Sequence, residues 1–216
     1  MDSLGYQNPD DTRREIRADW KLRTFGISRQ EIWRGFADDI GARYEPAGWR
    51  KSDRVVLDLT PWQIVLDIYL HENFIFTRLR AAFVTAAGMR FRTYRQTPWG
   101  TLRKALGMRD IEIGDPPFDD EFIVRSNQPE KIVALLANES IRTHLLTQTY
   151  SQLEIRDNDG RRGPRYPANV DSLWFSTADR IDDPGRLRAS FDLVAETLNQ
   201  LVAIGAATQD VPGVQL

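Results

Sequence analysis

The sequence predicts an α+β fold: an antiparallel sheet of meander type, helices packed on one face, and a long C-terminal helix. Three observations predict it. Trp62, Ile64, Leu66, Ile68 and Leu70 alternate with more polar residues, the period of a half-buried strand. Further strand-like runs follow after short turn signals, and strands joined so closely pair antiparallel. Near the other end, Leu187, Phe191, Val194, Leu198, Leu201 and Val202 recur at spacings of three and four, which is the stripe of an amphipathic helix. A hydrophobic content of 41% in 216 residues is enough for one substantial core. Residues 1–45 read as a helical lead-in, 46–207 as the α+β domain and 208–216 as a tail.

Taken in order, the first 26 residues are polar, with a short charged helix anchored by Ile16, Trp20 and Leu22. Ser28 and Glu31 then have capping-box spacing, with Ile27 and Ile32 at the staple positions. Ile32, Phe36 and Ile40 form one helical stripe that ends near Gly41. From Arg54 the period becomes alternating. A turn at His71–Asn73 leads to a strand over Phe74–Val84. A second turn at Ala86-Ala87-Gly88 leads to a third strand over Met89–Arg95. Thr101–Leu106 reads as one or two helical turns before Gly107. Ile111, Ile113 and Phe122–Val124 are short strand candidates around a Pro116-Pro117 loop. Pro129 opens a helix, and Asn138 divides it from another. Leu153–Arg156 and Ser172–Ser176 are the last strands, with a turn at Asn158-Asp159-Gly160. Asp183 caps the final helix, Pro184 opens it and Gly205 closes it.

Composition excludes several kinds of function. With no cysteine there are no disulfides, thiolate metal sites or cysteine nucleophiles. The balance of 29 basic and 31 acidic residues gives no global pull towards nucleic acid or an anionic membrane. The first residues carry no apolar run after a basic one, so no secretory signal is expected. The run at Ile64–Leu70 contains Asp67 and is far too short to span a bilayer. A soluble, cytoplasmic protein is expected, with any membrane contact peripheral.

Charge is nevertheless unevenly placed. Between Asn73 and Arg109 the chain carries Arg78, Arg80, Arg90, Arg92, Arg95, Arg103, Lys104 and Arg109 with no acid. Asp110–Glu121 then carries Asp110, Glu112, Asp115, Asp119, Asp120 and Glu121 with no base. Arg78 and Arg80 share one face of their strand, and Arg90 and Arg92 share one face of the next. A three-residue turn at Thr85–Ala87 places all four with Tyr94 on one surface, whereas a two-residue turn separates them. Like charges across a sheet need compensation. One reading folds the acidic stretch back over the arginines as internal ion pairs. The other makes Arg78, Arg80, Arg90, Arg92 and Tyr94 a site for an anionic partner, with Phe91, Tyr94 and Trp99 available for stacking.

The acidic stretch lacks the spacing of a calcium loop and has paired prolines in its middle. His71 shares a strand face with Asp67, but no nucleophile accompanies the pair. His144 reads as a helix residue. Gly107 and Gly114 lack the context of a phosphate loop. No metal and no cofactor are expected.

Trp62-Gln63-Ile64-Val65-Leu66-Asp67, Thr77–Ala81, Gly107–Gly114 and Phe118-Asp119-Asp120-Glu121-Phe122-Ile123-Val124 resemble a group of uncharacterised bacterial proteins, a domain of unknown function with an F-D-x-x-F-x-V element. The resemblance runs from Ile32 to Gly205. It implies one integrated domain and brings no activity, cofactor or catalytic residue. The favoured function is a non-enzymatic accessory or interaction subunit of a larger bacterial assembly, with other protein subunits as partners. A module for an anion, lipid head group or nucleic acid on the arginine face is the alternative. An enzyme whose loop-borne site leaves no motif is the third.

Overall fold

The structure, a computed structural model, describes residues 28–48, 52–71, 74–96, 110–148, 150–157, 166–214 and 216. Its helices are α1 (Arg29–Ile40), α2 (Pro116–Glu121), α3 (Pro129–Leu136), α4 (Glu139–Thr147) and α5 (Pro184–Ala203). Its strands are β1 (Arg43–Glu45), β2 (Arg54–Leu59), β3 (Trp62–His71), β4 (Phe74–Val84), β5 (Phe91–Arg95), β6 (Phe122–Ser126), β7 (Ser151–Arg156) and β8 (Val170–Thr177). The strands form one antiparallel sheet in the order β1-β2-β3-β4-β8-β7-β5-β6.

Ser28 caps α1 as its spacing predicts. The hydroxyl accepts from Glu31 N at 3.3 Å, and Glu31 Oε2 accepts from Ser28 N at 2.7 Å. Gly41 ends the helix at φ 69, a conformation that costs other residues a Cβ clash. The buried stripe is Trp33, Phe36 and Ala37 rather than Ile32, Phe36 and Ile40, which is a correction. The Trp33 indole takes the centre because it can be fully buried without an orphaned donor: Nε1 donates to Ile181 O at 3.0 Å. Ile32 and Ile40 are left half-buried beside it. Ile27, the helix before it, and Thr101–Leu106 with Gly107 fall outside the described residues.

β2 to β4 fall within the expected meander, and β1, in what was expected to be a helical lead-in, adds an outer strand to it. The expected hairpin from β4 to β5 does not form, because β8 and β7 lie between them. Beyond Val84 the backbone is taken by other partners: Thr85 N donates to Asn169 O, and Ala86 N donates to Ala206 O. Gly88 then turns at φ 57. Asn127 and Gln128 hold the bend, with Asn127 Nδ2 on Gly88 O and Gln128 Nε2 on Ala87 O. The chain therefore leaves β4 and starts β5 on the far side of the sheet.

Pro116 and Pro117 are not a loop but the first turn of α2, where proline lacks no needed N–H. Asp115 caps that turn by accepting from Phe118 N. Ile111 and Ile113 form no strand, although Ile111 N donates to Val124 O at the outer edge of β6. Asn138 caps α4 through Ser140 N and Ile141 N.

One sheet face packs against the helices. Ile64 and Leu66, Leu79 and Phe83, Leu173 and Phe175, Leu153, and Val124 join the helical side chains in one buried cluster. Leu187, Phe191, Val194, Leu198 and Leu201 are buried as the stripe predicts, and Phe191 meets Phe36 at a ring separation of 5.5 Å. Each such side chain contributes about 1.5–3 kcal/mol on burial. Among the described residues, no helix is long and apolar enough to cross a membrane.

Candidate functional site

Strand alternation sends every second side chain to the other face of the sheet. The register aligns these residues in rows. One row reads Val56, Val65, Arg80, Trp174, Glu154, Arg92 and Arg125 from β2 to β6. The next reads Asp67, Arg78, Ser176, Gln152, Tyr94 and Ile123. We call this the second face. Arg78, Arg80, Arg92 and Tyr94 therefore share a surface, although β8 and β7 intervene and the three-residue turn plays no part.

Arg90 is the exception. It precedes β5, where Asn127 Oδ1 holds its backbone N. Its Nη1 donates to Asp171 Oδ2 at 2.6 Å, a carboxylate on the opposite side of β8 from Trp174.

At the centre of the second face, Arg78 and Arg80 converge on Asp67. Arg78 donates Nε to Oδ1 at 2.7 Å and Nη2 to Oδ2 at 2.6 Å, and Arg80 Nη2 donates to Oδ2 at 2.7 Å. Arg80, Asp67 and Trp174 are all buried. Burial by itself pushes the Asp67 carboxyl up, but the Arg78 hydrogen bonds and the charges of Arg80 and Arg78 outweigh it and hold the group below the usual carboxylate range. Guanidinium groups also stack on the Trp174 ring, with Arg156 at 3.9 Å, Arg78 at 4.7 Å and Arg80 at 5.6 Å from its centroid. With both oxygens of Asp67 occupied, it is not a free orienting group for His71, whose side chain lies outside the described residues.

Towards β6 the pairing loosens. Glu154 binds Arg156 and Gln152 and stands 3.9 Å from Arg92 Nε. Arg92 Nη2 donates to the neutral Gln152 amide at 2.7 Å. The Arg92 and Arg125 guanidinium carbons lie 5.2 and 5.9 Å from the Tyr94 ring centroid.

The acidic stretch does not neutralise the four arginines, which is a second correction. Asp110 sits beside Arg125, Asp115 bonds Arg142, and Glu121 bonds Arg95. Asp119 accepts from the backbone N–H groups of Ile113, Gly114 and Asp115, closing the loop before α2. A carboxylate nearby in sequence was the wrong cue, because β7 and β8 bring Glu154 and Asp171 in from a distance. Asp67 lies opposite Arg78 across the β3–β4 ladder, a pairing that needs the two-residue connection after His71 as well as strand alternation. Trp99, Arg103, Lys104, Arg109 and the Asn158–Gly160 turn fall outside the described residues.

A second buried carboxylate, Asp53, accepts from Arg29 Nη2, Tyr44 OH and Ala47 N at 2.6, 3.0 and 2.8 Å. Burial together with Asp53 pushes the Tyr44 phenol well up. This network joins α1 to β1 and to the start of β2. Among the described residues, no three His, Asp or Glu side chains converge as a metal ion requires.

No protein-family model and no curated protein matches the chain. Among solved structures, the crystal structure of the mycobacterial trehalose monomycolate transport factor A is similar at 11% identity, over 82% of this chain and 93% of that one, with a TM-score of 0.44. A superposition that loose supports no conclusion about this chain.

Proposed function

We propose that this chain is a non-enzymatic accessory or interaction subunit of a larger bacterial assembly, docking on another protein subunit through the surface around Phe74 at the start of β4. Phe74 carries the reading. It is 65% exposed at the start of β4, on the second face and in line with Phe76, Arg78 and Arg80. On the same face Phe76 lies on Tyr69 with centroids 5.1 Å apart, and Arg78 bridges the Tyr69 and Trp174 rings. A large ring left in water on that face gains by burial, and its ordered neighbours have little further entropy to lose. Aromatic and arginine side chains are also the usual anchors of protein interfaces. Tyr150, 63% exposed just before β7, stands at the same end of the sheet. The proposal places the chain peripherally at the cytoplasmic face of a membrane complex, held there by its partners.

Native recovery of the tagged full-length protein from its own cells, beside a Phe74→Ser variant, tests the reading. The expected result is one stoichiometric partner with the parent and at least a tenfold lower yield of it with the variant. The denaturation midpoints of the two proteins should agree, as expected for a surface change. Equal recovery by both, or no stoichiometric partner, would overturn the docking surface.

A further inference from the structure

We propose that Arg92 and Arg125 form a binding site for a phosphate group, seated beside Tyr94 on the second face. The β5–β6 register sets Arg92 directly opposite Arg125, which puts their Cα atoms about 4.5–5.5 Å apart. Like charges so placed repel, and the neighbouring carboxylates relieve them only through loose ion pairs at 3.9 and 3.5 Å. Glu154 is committed to Arg156 and Gln152 and approaches Arg92 only to 3.9 Å. Arg125 Nε and Asp110 Oδ1 stand 3.5 Å apart without a hydrogen bond, and both atoms are buried without a hydrogen-bond partner. The contrast with Asp67 is direct, since there the same types of group meet at 2.6–2.7 Å. Meanwhile the Arg92 and Arg125 side chains keep 56% and 36% of their surface in water, so a ligand can reach them.

The chemistry selects the ligand. A carboxylate can bridge two guanidinium groups, as Asp67 does, but it carries a single negative charge. A phosphate ester offers three acceptor oxygens and up to two negative charges near neutral pH, enough to engage both forks at once. Tyr94 limits where the group sits, because both guanidinium groups pack against that one ring. Arg156 lies on the same face of β7, the strand next to β5, and is paired with Glu154. The inference is independent of the partner proposed above, which uses Phe74 on β4, three strands from β5.

The test is a titration of the full chain with inorganic phosphate at low ionic strength, followed by amide chemical shifts. A parallel arm uses phosphatidylcholine vesicles with and without phosphatidic acid. Saturable binding is expected in at least one arm. It should weaken at least tenfold in Arg92→Gln and in Arg125→Gln, and weaken with added salt. It should be unchanged in Arg43→Gln, whose arginine pairs with Asp58 elsewhere on the sheet, and in Phe74→Ser. Binding in the first arm marks a soluble phosphate as the ligand; binding confined to vesicles carrying phosphatidic acid marks a head group. Amide spectra of the two glutamine variants report that the sheet is intact. No saturable binding in either arm overturns the site, as does binding that survives both substitutions or a preference for an acidic peptide over phosphate.

Discussion

On β4, Arg78 and Arg80 reach one buried carboxylate, Asp67, at 2.6–2.7 Å. On β5 and β6, Arg92 and Arg125 face each other across the ladder and approach carboxylates only to 3.9 and 3.5 Å. Both pairs belong to the same sheet face, and three of the four arginines share one row. The difference follows solvent. A charge taken out of water must be paired and hydrogen-bonded or the fold loses several kcal/mol. A half-exposed charge is partly served by water, so close repulsion can persist there at small cost. The buried part of the face is therefore structural, and the exposed part is where the phosphate is proposed to bind.

The largest expected effects fall on the buried part. Asp67→Asn leaves two closely set guanidinium groups without their shared carboxylate and should cost about 3–5 kcal/mol. Phe191→Ala, in the helix-covered core, should cost a similar ~3–5 kcal/mol and sets the scale. Urea melts of both variants check the comparison; a loss near zero for Asp67→Asn would mean that the central arginines are not held by it.

Acid sharpens the same contrast. Because Asp67 has a folded-state pKa below its unfolded value of about 3.9, its contribution is fully present above that pH. It is lost as pH falls through the folded value. The stability gap between the parent and Asp67→Asn should thus be widest near neutrality and shrink below about pH 4. A gap that grows in acid would contradict the assigned direction.

The smallest effect is expected at β5 and β6. Arg125→Gln removes a like-charge pair and should change stability by no more than about 0.5 kcal/mol, in the stabilising direction. A loss of several kcal/mol in the same urea melt would show that Arg125 is as structural as Arg80.

Strand alternation made much of this legible in advance. It placed Arg78 and Arg80 together and Arg92 with Tyr94, while helical periodicity placed the α5 stripe against the sheet. The capping box at Ser28 was equally plain, since both of its partners lie within one helical turn. What stayed hidden depended on contacts between distant segments. Nothing near Val84 announces that β8 rather than β5 will pair with β4. The acids of 110–121 are close in sequence to the arginines, yet Asp119 holds backbone N–H groups, Asp115 holds Arg142 and Glu121 reaches Arg95 instead of the four sheet arginines. Trp33 was passed over for two isoleucines because periodicity does not see the Ile181 carbonyl that allows an indole to be buried.

The strand order has a kinetic consequence. Val84 pairs with Val170, so the central ladder of the sheet closes a very long loop, and such non-local pairing is slow to form. While the chain is being made, β1 to β4 can zip together as soon as they emerge. β4 then waits as a bare edge, with its N–H and C=O groups unpaired, until Val170–Thr177 arrives. Bare edges are where chains pair with the wrong partner. The inward charge of Arg80 and the bend at Gly88 mark that waiting edge, and the helix that seals the opposite face, α5, follows β8 in the chain.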